Sequence, residues 1–459
     1  MGCEVEWIPL GDIVNISSGG TPDKKQTEYW NGEIPWISAK TLTGDTVTTS
    51  NNFITKKGLQ EGSKLAPVDS ILLLTRGSGL FKRIPLAIVG APVAYNQDVK
   101  CLTSKVATIS NRYVFYALKA QSSVLSNMLE TTGIGAGKLA TDRLLGMPIP
   151  VLSCDVRDKV ESFFSVLSRK IELIDQLNDY LRELVSSVFA QHFDHIGDTT
   201  ELRNTLSIST KSLKPQEHAG EMWEHYSIPA FDEKHQPVFE PAAEIKSNKY
   251  QIDSDCILIS RLNPSTKRIW MPYCSSDRAV CSTEFIVYKP YLKKYKSFYY
   301  AAIDSPMFTD FLLEHVSGST GSRQRAQPKD TLKYLVPNPD KEEIEDFCAF
   351  ADPIYRHVQM NEQQMAKLEI LRDILLPKLM SGEIDVSKVD LMQPANNHLL
   401  AYMHNVPIPY RKEQRWRLPS TMCWHRCRAY STRRNSSIWP KYSESCYCRH
   451  SMYQRHETS

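Results

Sequence analysis

The sequence predicts an α+β protein built as an internal repeat: two mixed α/β regions, each followed by one long amphipathic helix. Three observations carry this reading. Apolar residues recur at spacings of three and four over residues 156 to about 193 and about 341 to 380. These two stretches superpose without a gap at an offset of 187 residues. The stretch before each is strand-like and closes with a Gly-rich polar loop and a proline pair.

Taken in chain order, the strand-like regions correspond segment by segment. Ile34-Pro35-Trp36-Ile37-Ser38 has a counterpart in Tyr226-Ser227-Ile228-Pro229. Residues 69–76 and 254–261 are each a short apolar run, the pattern of a buried strand, ending in a hydroxyl and an arginine: Thr75-Arg76 and Ser260-Arg261. Residues 94–98 parallel 280–284. The Gly-rich loops are 133–137 and 318–321, followed by Pro148 and Pro150, and by Pro337 and Pro339.

In the first helix Leu167, Ile171, Ile174, Leu177, Leu181, Leu184 and Val188 form a seam of coiled-coil type. In the second, Ile354, Val358, Met365, Leu368, Leu371, Leu375 and Leu379 repeat the pattern, and Asn361 occupies one seam position. The superposition lapses where Ile174 and Leu177 meet Asn361 and Gln364. The alternative is two ordinary surface helices that each cover a sheet.

Composition bounds the function. The chain has 459 residues, 41% apolar and 23% charged, an ordinary globular balance. No apolar run is long enough for a membrane helix, and the acidic start has no signal-peptide core, so a soluble, cytoplasmic protein with no membrane partner is expected. Residues 392–459 carry 11 Lys/Arg against 3 Asp/Glu. Residues 1–391 carry 44 against 49, a net −5. Nucleic-acid binding by the main body would therefore need local basic patches. Cys3, Cys101, Cys154, Cys256, Cys274, Cys281 and Cys348 show no metal-ligand spacing and read as reduced, mostly buried thiols.

Enzyme signatures are missing. Residues 133–139 resemble a phosphate loop, but the glycine spacing is wrong and Leu139 stands in place of Ser or Thr. Asn263-Pro264-Ser265-Thr266 breaks the adenine-methyltransferase pattern at its third and fourth positions. No catalytic residues, metal ligands or bound cofactor are expected.

Each region does carry side chains suited to DNA. Arg and Lys match guanine edges, Asn and Gln match adenine, and all of them hold phosphates. The candidates are Lys40, Thr75, Arg76, Ser78, Lys82, Arg83, Asn96, Gln97 and Lys138 in the first region. In the second they are Arg261, Asn263, Lys267, Arg268, Ser282, Ser322, Arg323 and Arg325. Taken singly, each is better read as a solvated surface residue; the case rests on the set occurring twice. A helix of roughly 38 residues spans about 57 Å, and half-sites one DNA turn apart need about 34 Å.

The opening Trp7-Ile8-Pro9-Leu10-Gly11-Asp12-Ile13, with Gly19-Gly20-Thr21-Pro22, Trp30-Asn31-Gly32 and Ile34-Pro35-Trp36-Ile37, resembles the start of a target-recognition domain of type I restriction–modification specificity subunits. The stretch from Leu371-Arg372-Asp373-Ile374 through Leu379-Met380-Ser381-Gly382-Glu383-Ile384 resembles that family's C-terminal signature. The likeness covers about residues 5–390. It implies target-recognition domains at 1–154 and 199–340, each reading one half of a bipartite double-stranded DNA target. It also implies spacer helices at 155–198 and 341–391, paired antiparallel as a coiled coil in a pseudo-twofold molecule. The coiled-coil and partner contacts would come from Ile171, Ile174, Leu181, Leu184, Val188, Val358, Met365, Leu368, Leu371 and Leu375. Two methyltransferase subunits would dock there, and restriction/translocase subunits would complete the assembly. S-adenosylmethionine, ATP and Mg would be held by those partners.

Residues 392–459 depart from the family pattern. Their spacing of Cys423, His425, Cys427, Cys446, Cys448 and His450 matches no standard zinc finger, and a disordered basic tail is expected. Two other function classes stay open. One is a coiled-coil structural scaffold with two protein-binding modules. The other is an enzyme with its own methylation or cleavage activity.

Overall fold

The computed structural model describes residues 5–42, 44–133, 135–317 and 324–384. The tail expectations, metal ligands included, lie outside the described residues, as do Ser322 and Arg323.

Each mixed region holds two main sheets with an apolar core between them and the helices. In the first, the sheet Val14–Ser18, Val99–Ser104, Ile71–Leu74, Leu86–Val89 carries Thr46–Val47 on its edge. The other sheet runs Phe53–Ile54, Trp30–Ile37, Val93–Tyr95, Lys64–Ala66. In the second region the strands Leu206–Ser209, Phe285–Pro290, Ile257–Ser260, Ile269–Trp270 follow the first order. The strands Met222–Tyr226, Ala279–Ser282 and Lys249–Gln251 follow the second, with Val238–Pro241 and Ser212–Leu213 at the edges. In both regions a parallel pair sits at the centre of the second sheet, with Ala94 beside Trp36 and Val280 beside His225.

The four-residue strands Ile71–Leu74 and Ile257–Ser260 are buried at every position, which explains their unbroken apolar runs. Tyr226 ends its strand, and Ser227 caps a helix, Ile228–Lys234, by accepting from Ala230 N. Ile228-Pro229 is therefore a helix start, and the equivalent of Tyr226 is Ile37. Pro148 and Pro150 lie in one closing strand and Pro337 ends the other, with Pro339 beyond it. Pro148–Val151 pairs with Glu6–Pro9, and Leu335–Pro337 pairs with Thr199–Glu201.

The long helices are Cys154–Phe193 and Lys341–Met380, 40 residues each. Asp340 and Glu343 form a reciprocal cap at the start of the second. The helices run antiparallel. Val156, Val160, Phe164 and Leu167 share one core with Leu375, Leu376, Leu379 and Met380, which the first region completes. Val185, Phe189 and Phe193 share another with Ile344, Phe347, Ala351 and Tyr355, which the second region completes.

Midway, Asn361 Nδ2 donates to Asn178 Oδ1 at 2.8 Å, both residues buried. Asn178 thus takes a seam position the sequence assigned to Leu177, and Leu177 faces solvent. Beyond it the buried positions are Val185 and Phe189, one residue later than Leu184 and Val188. Leu184 is exposed; Ile171, Ile174, Leu181 and Val188 are half-buried. In the second helix Val358 and Leu375 are buried, and Met365, Leu368 and Leu371 half-buried. The physical reason for the shift is that a strict 3.5-residue period drifts against a 3.6-residue helix.

Replacing Asn361 alone by Leu strands the buried Asn178 amide and should cost about 1–3 kcal/mol of unfolding free energy. The double variant Asn178→Leu, Asn361→Leu should recover most of that loss. A urea-denaturation double-mutant cycle measures it; additive losses would exclude coupling through this hydrogen bond.

Candidate nucleic-acid interface

At the end of the strand Ile71–Leu74 the chain makes a small platform from three segments. Thr75 donates both N and Oγ1 to the Asp98 carbonyl, at 2.8 and 3.0 Å. Leu139 N donates to the Thr75 carbonyl at 2.8 Å. Arg76 then lies opposite Lys138 in an antiparallel pair. The turn at 96–98 is held by Asn96, whose Oδ1 accepts from Val99 N at 3.1 Å, and by Thr21, whose hydroxyl donates to Gln97 Oε1 at 2.6 Å. The sequence also places two glycines here. A Cβ on Gly19 would lie 2.0 Å from the Tyr95 carbonyl, and Gly20 N donates to that carbonyl at 2.9 Å. Backbone this close requires glycine.

The second region builds the same platform. Arg261 N donates to the Glu284 carbonyl at 2.9 Å, and Ala326 N donates to the Arg261 carbonyl at 2.9 Å. Leu262 bridges Arg325. Equivalent positions are thus Thr75 and Arg261, Arg76 and Leu262, Asp98 and Glu284, Lys138 and Arg325. The sequence aligned Thr75 with Ser260 and Arg76 with Arg261, one residue out. Ser260 is the last residue of its strand, and its hydroxyl donates to the Leu262 carbonyl at 2.9 Å.

The two platforms differ in charge. In the first, Lys40, Arg76, Ser78, Lys82, Arg83 and Lys138 are exposed. Among the described residues none of these five cations has a carboxylate partner. Two like charges face each other across the Arg76–Lys138 pair, an arrangement that costs free energy until an anion meets it. Thr75 and Asn96 are buried, and their polar atoms hold backbone rather than face solvent.

In the second platform the cations are paired. Arg325 grips Glu284 with two hydrogen bonds, Nε to Oε2 at 3.0 Å and Nη2 to Oε1 at 3.1 Å. Arg261 Nε lies 3.8 Å from Glu284 Oε2. Ser282 Oγ accepts from Glu284 N at 3.3 Å, and Asn263, in a left-handed conformation, donates its N to the Gln324 carbonyl at 2.9 Å. Lys267 and Arg268 are engaged elsewhere. Lys267 holds Asp304, and Arg268 holds Asp232 through two hydrogen bonds of 2.6 and 2.9 Å.

The second region meets the helix pair at a cavity lined by Arg182, His235, Trp270, Tyr300, Tyr355 and Glu362. Gln236 Nε2 donates to the Glu362 carbonyl at 3.0 Å, and Gln359 Nε2 to the Met271 carbonyl at 3.3 Å. Arg182 donates to the Glu362 carboxylate. Burial pushes the Glu362 carboxyl up to about 7 against the opposing pull of Arg182, and Asp175 adds to the rise. Burial holds His235 neutral, at about 3.

Among the described residues no group of His, Cys, Asp and Glu could hold a metal ion, and no helix is long and apolar enough to cross a membrane.

Residues 4–183 match the family model described as type I restriction modification DNA specificity domain. Over that stretch the chain is similar to this family. The chain is 32% identical over 197 residues to the EcoR124I/EcoR124II specificity subunit of Escherichia coli, covering 40% of this chain and 48% of that protein. It is 23% identical over 420 residues to the MjaIX specificity subunit of Methanocaldococcus jannaschii, covering 83% and 93%. Thus it spans about half the length of the first relative and nearly all of the second. A crystal structure of the S subunit from M. genitalium aligns with a TM-score of 0.49 at 15% identity, covering 82% of this chain and 96% of that one.

The raised Glu362 carboxyl carries a pH signature. The folded chain favours the protonated form. This group's contribution is therefore most favourable below about pH 4.5 and is lost as pH rises through about 7. Denaturation of the wild type and Glu362→Gln between pH 4.5 and 7.5 should show the loss, on the order of 1–3 kcal/mol, only in the wild type. Parallel curves would remove Glu362 as its source.

Proposed function

We propose that this chain is the DNA-reading subunit of a type I restriction–modification complex, with no active site of its own. Each platform reads one half of a bipartite target on double-stranded DNA. The observation that carries the reading is one platform built twice, at opposite ends of an antiparallel helix pair. From Phe164, in one core, to Phe189, in the other, the first helix advances about 38 Å, close to one DNA turn. The paired helices act as a coiled-coil spacer, and the matching strand orders make the molecule pseudo-twofold. The two modules correspond to about 1–154 and 199–340.

The outer faces of the helices suit protein partners. Val166, Leu173, Leu177, Tyr180 and Leu184 form an exposed apolar stripe on the first helix, and Met360, Ile370 and Ile374 lie exposed on the second. Two methyltransferase subunits would dock here, bringing S-adenosylmethionine. Restriction subunits would bring ATP and Mg.

Co-expression with a methyltransferase subunit should methylate adenine within a single split motif that disappears when this chain is omitted. DNA methylated without this chain, or in no split motif, would exclude the reading. Duplex binding by the assembled complex should weaken with salt. Arg76→Ala with Lys138→Ala should make the slope of log affinity against log salt shallower by about 1–2. Binding without salt dependence would favour the scaffold with two protein-binding modules. Leu177→Asp with Leu184→Asp should abolish methyltransferase co-purification while changing chain stability by less than about 0.5 kcal/mol. Retained assembly would place the docking surface elsewhere.

A further inference from the structure

The two platforms share their backbone hydrogen bonds and differ in the side chains these bonds present. That is where two modules reading different half-sites must differ. In the second platform the difference centres on one carboxylate. Glu284 receives the Arg325 fork at 3.0 and 3.1 Å and lies 3.8 Å from Arg261. All three side chains are partly exposed, at 31%, 38% and 29%. The backbones beneath them are pinned together by Arg261 N to Glu284 O, Ala326 N to Arg261 O, and Asn263 N to Gln324 O.

We propose that Glu284 is a specificity-determining positioning residue of the second module. It fixes Arg325 to read one guanine edge in the major groove. The inference rests on the DNA-reading function above.

Three physical points support it. A carboxylate in the middle of the platform repels phosphate, so this cluster is poorly suited to gripping the DNA backbone. Arginine's guanidinium is a rigid planar fork, and holding its Nε/Nη2 edge on Glu284 restricts where the rest of the fork can donate. An arginine so restricted accepts fewer alternatives than a mobile one, because the ordering is done before the ligand arrives. The equivalent pair Asp98 and Lys138 in the first platform shows no such grip, and Lys138 carries a point charge instead of a fork.

The test uses the assembled complex with its methyltransferase subunits and compares the wild type, Glu284→Gln, Glu284→Asp and Arg325→Lys. Methylation is mapped genome-wide, and binding is measured on duplexes carrying each base at each position of the target. With Glu284→Gln, one guanine position in one half of the motif should relax, with discrimination there falling about tenfold. The other half should stay intact and the salt slope should not become shallower. Arg325→Lys keeps the charge and should relax the same position, so it carries the test if Glu284→Gln fails to fold. Glu284→Asp should restore part of the discrimination. An unchanged motif, relaxation in both halves, or uniformly weaker binding with the motif intact would overturn the proposal. The last of these would assign Glu284 a structural role only. A wild-type complex that methylates no split motif would overturn the DNA-reading function itself, a different result from any of these.

Discussion

Everything in this chain depends on the antiparallel pairing of two helices that lie 187 residues apart in sequence. Beside cores of its own, each mixed region has one core that the helices complete. The first region buries the start of one helix together with the end of the other, and the second region does the reverse. The polar contacts follow the same plan. Arg372, on the second helix, donates to Asp45 of the first region at 2.9 Å, and Thr46 donates to Glu172 of the first helix at 2.6 Å. A module cannot turn on this spacer without breaking its own core. The distance between platforms is therefore a property of helix length, set at about 1.5 Å per residue.

The seam is apolar at both ends and polar in the middle. A buried Asn pair and a pair of the buried Glu362 with the half-buried Arg182 sit midway along the helices. Such groups are worth less than well-packed leucines. They do, however, disfavour every sliding of one helix along the other, because a shift by one turn leaves each amide or charge without its partner. Under the proposed function, register is what a spacer between two readers would have to hold, and a small loss of stability is consistent with that demand.

Much of the architecture was legible in the sequence, and the misreadings share one cause. The two helices, the doubled strand regions and the offset near 187 are periodic signals carried by many residues. What failed was single-residue phase. Leu177 was given the seam because it is apolar, while Asn178 takes it through a hydrogen bond that composition does not reveal. Thr75 was aligned with Ser260 because both bear hydroxyls, whereas their backbones differ by one residue. In strands and helices alike, one residue changes the face. Among the site residues, the sequence could count cations but not their partners. Arg268 and Lys267 looked like Arg76 and Lys138 until Asp232 and Asp304 were seen beside them.

That last distinction gives the two platforms different physics. Unpaired cations on the first, two of them directly opposed, gain most from meeting a dense row of phosphates, and that gain is sensitive to salt. Arg325 and Arg261 on the second already share Glu284, so they gain less from charge alone. Under the proposed function, the first platform would add salt-sensitive attraction to its half of the target and the second would depend more on the placing of its donors. On that reading both ends contribute to one binding event, the first more through charge and the second more through position.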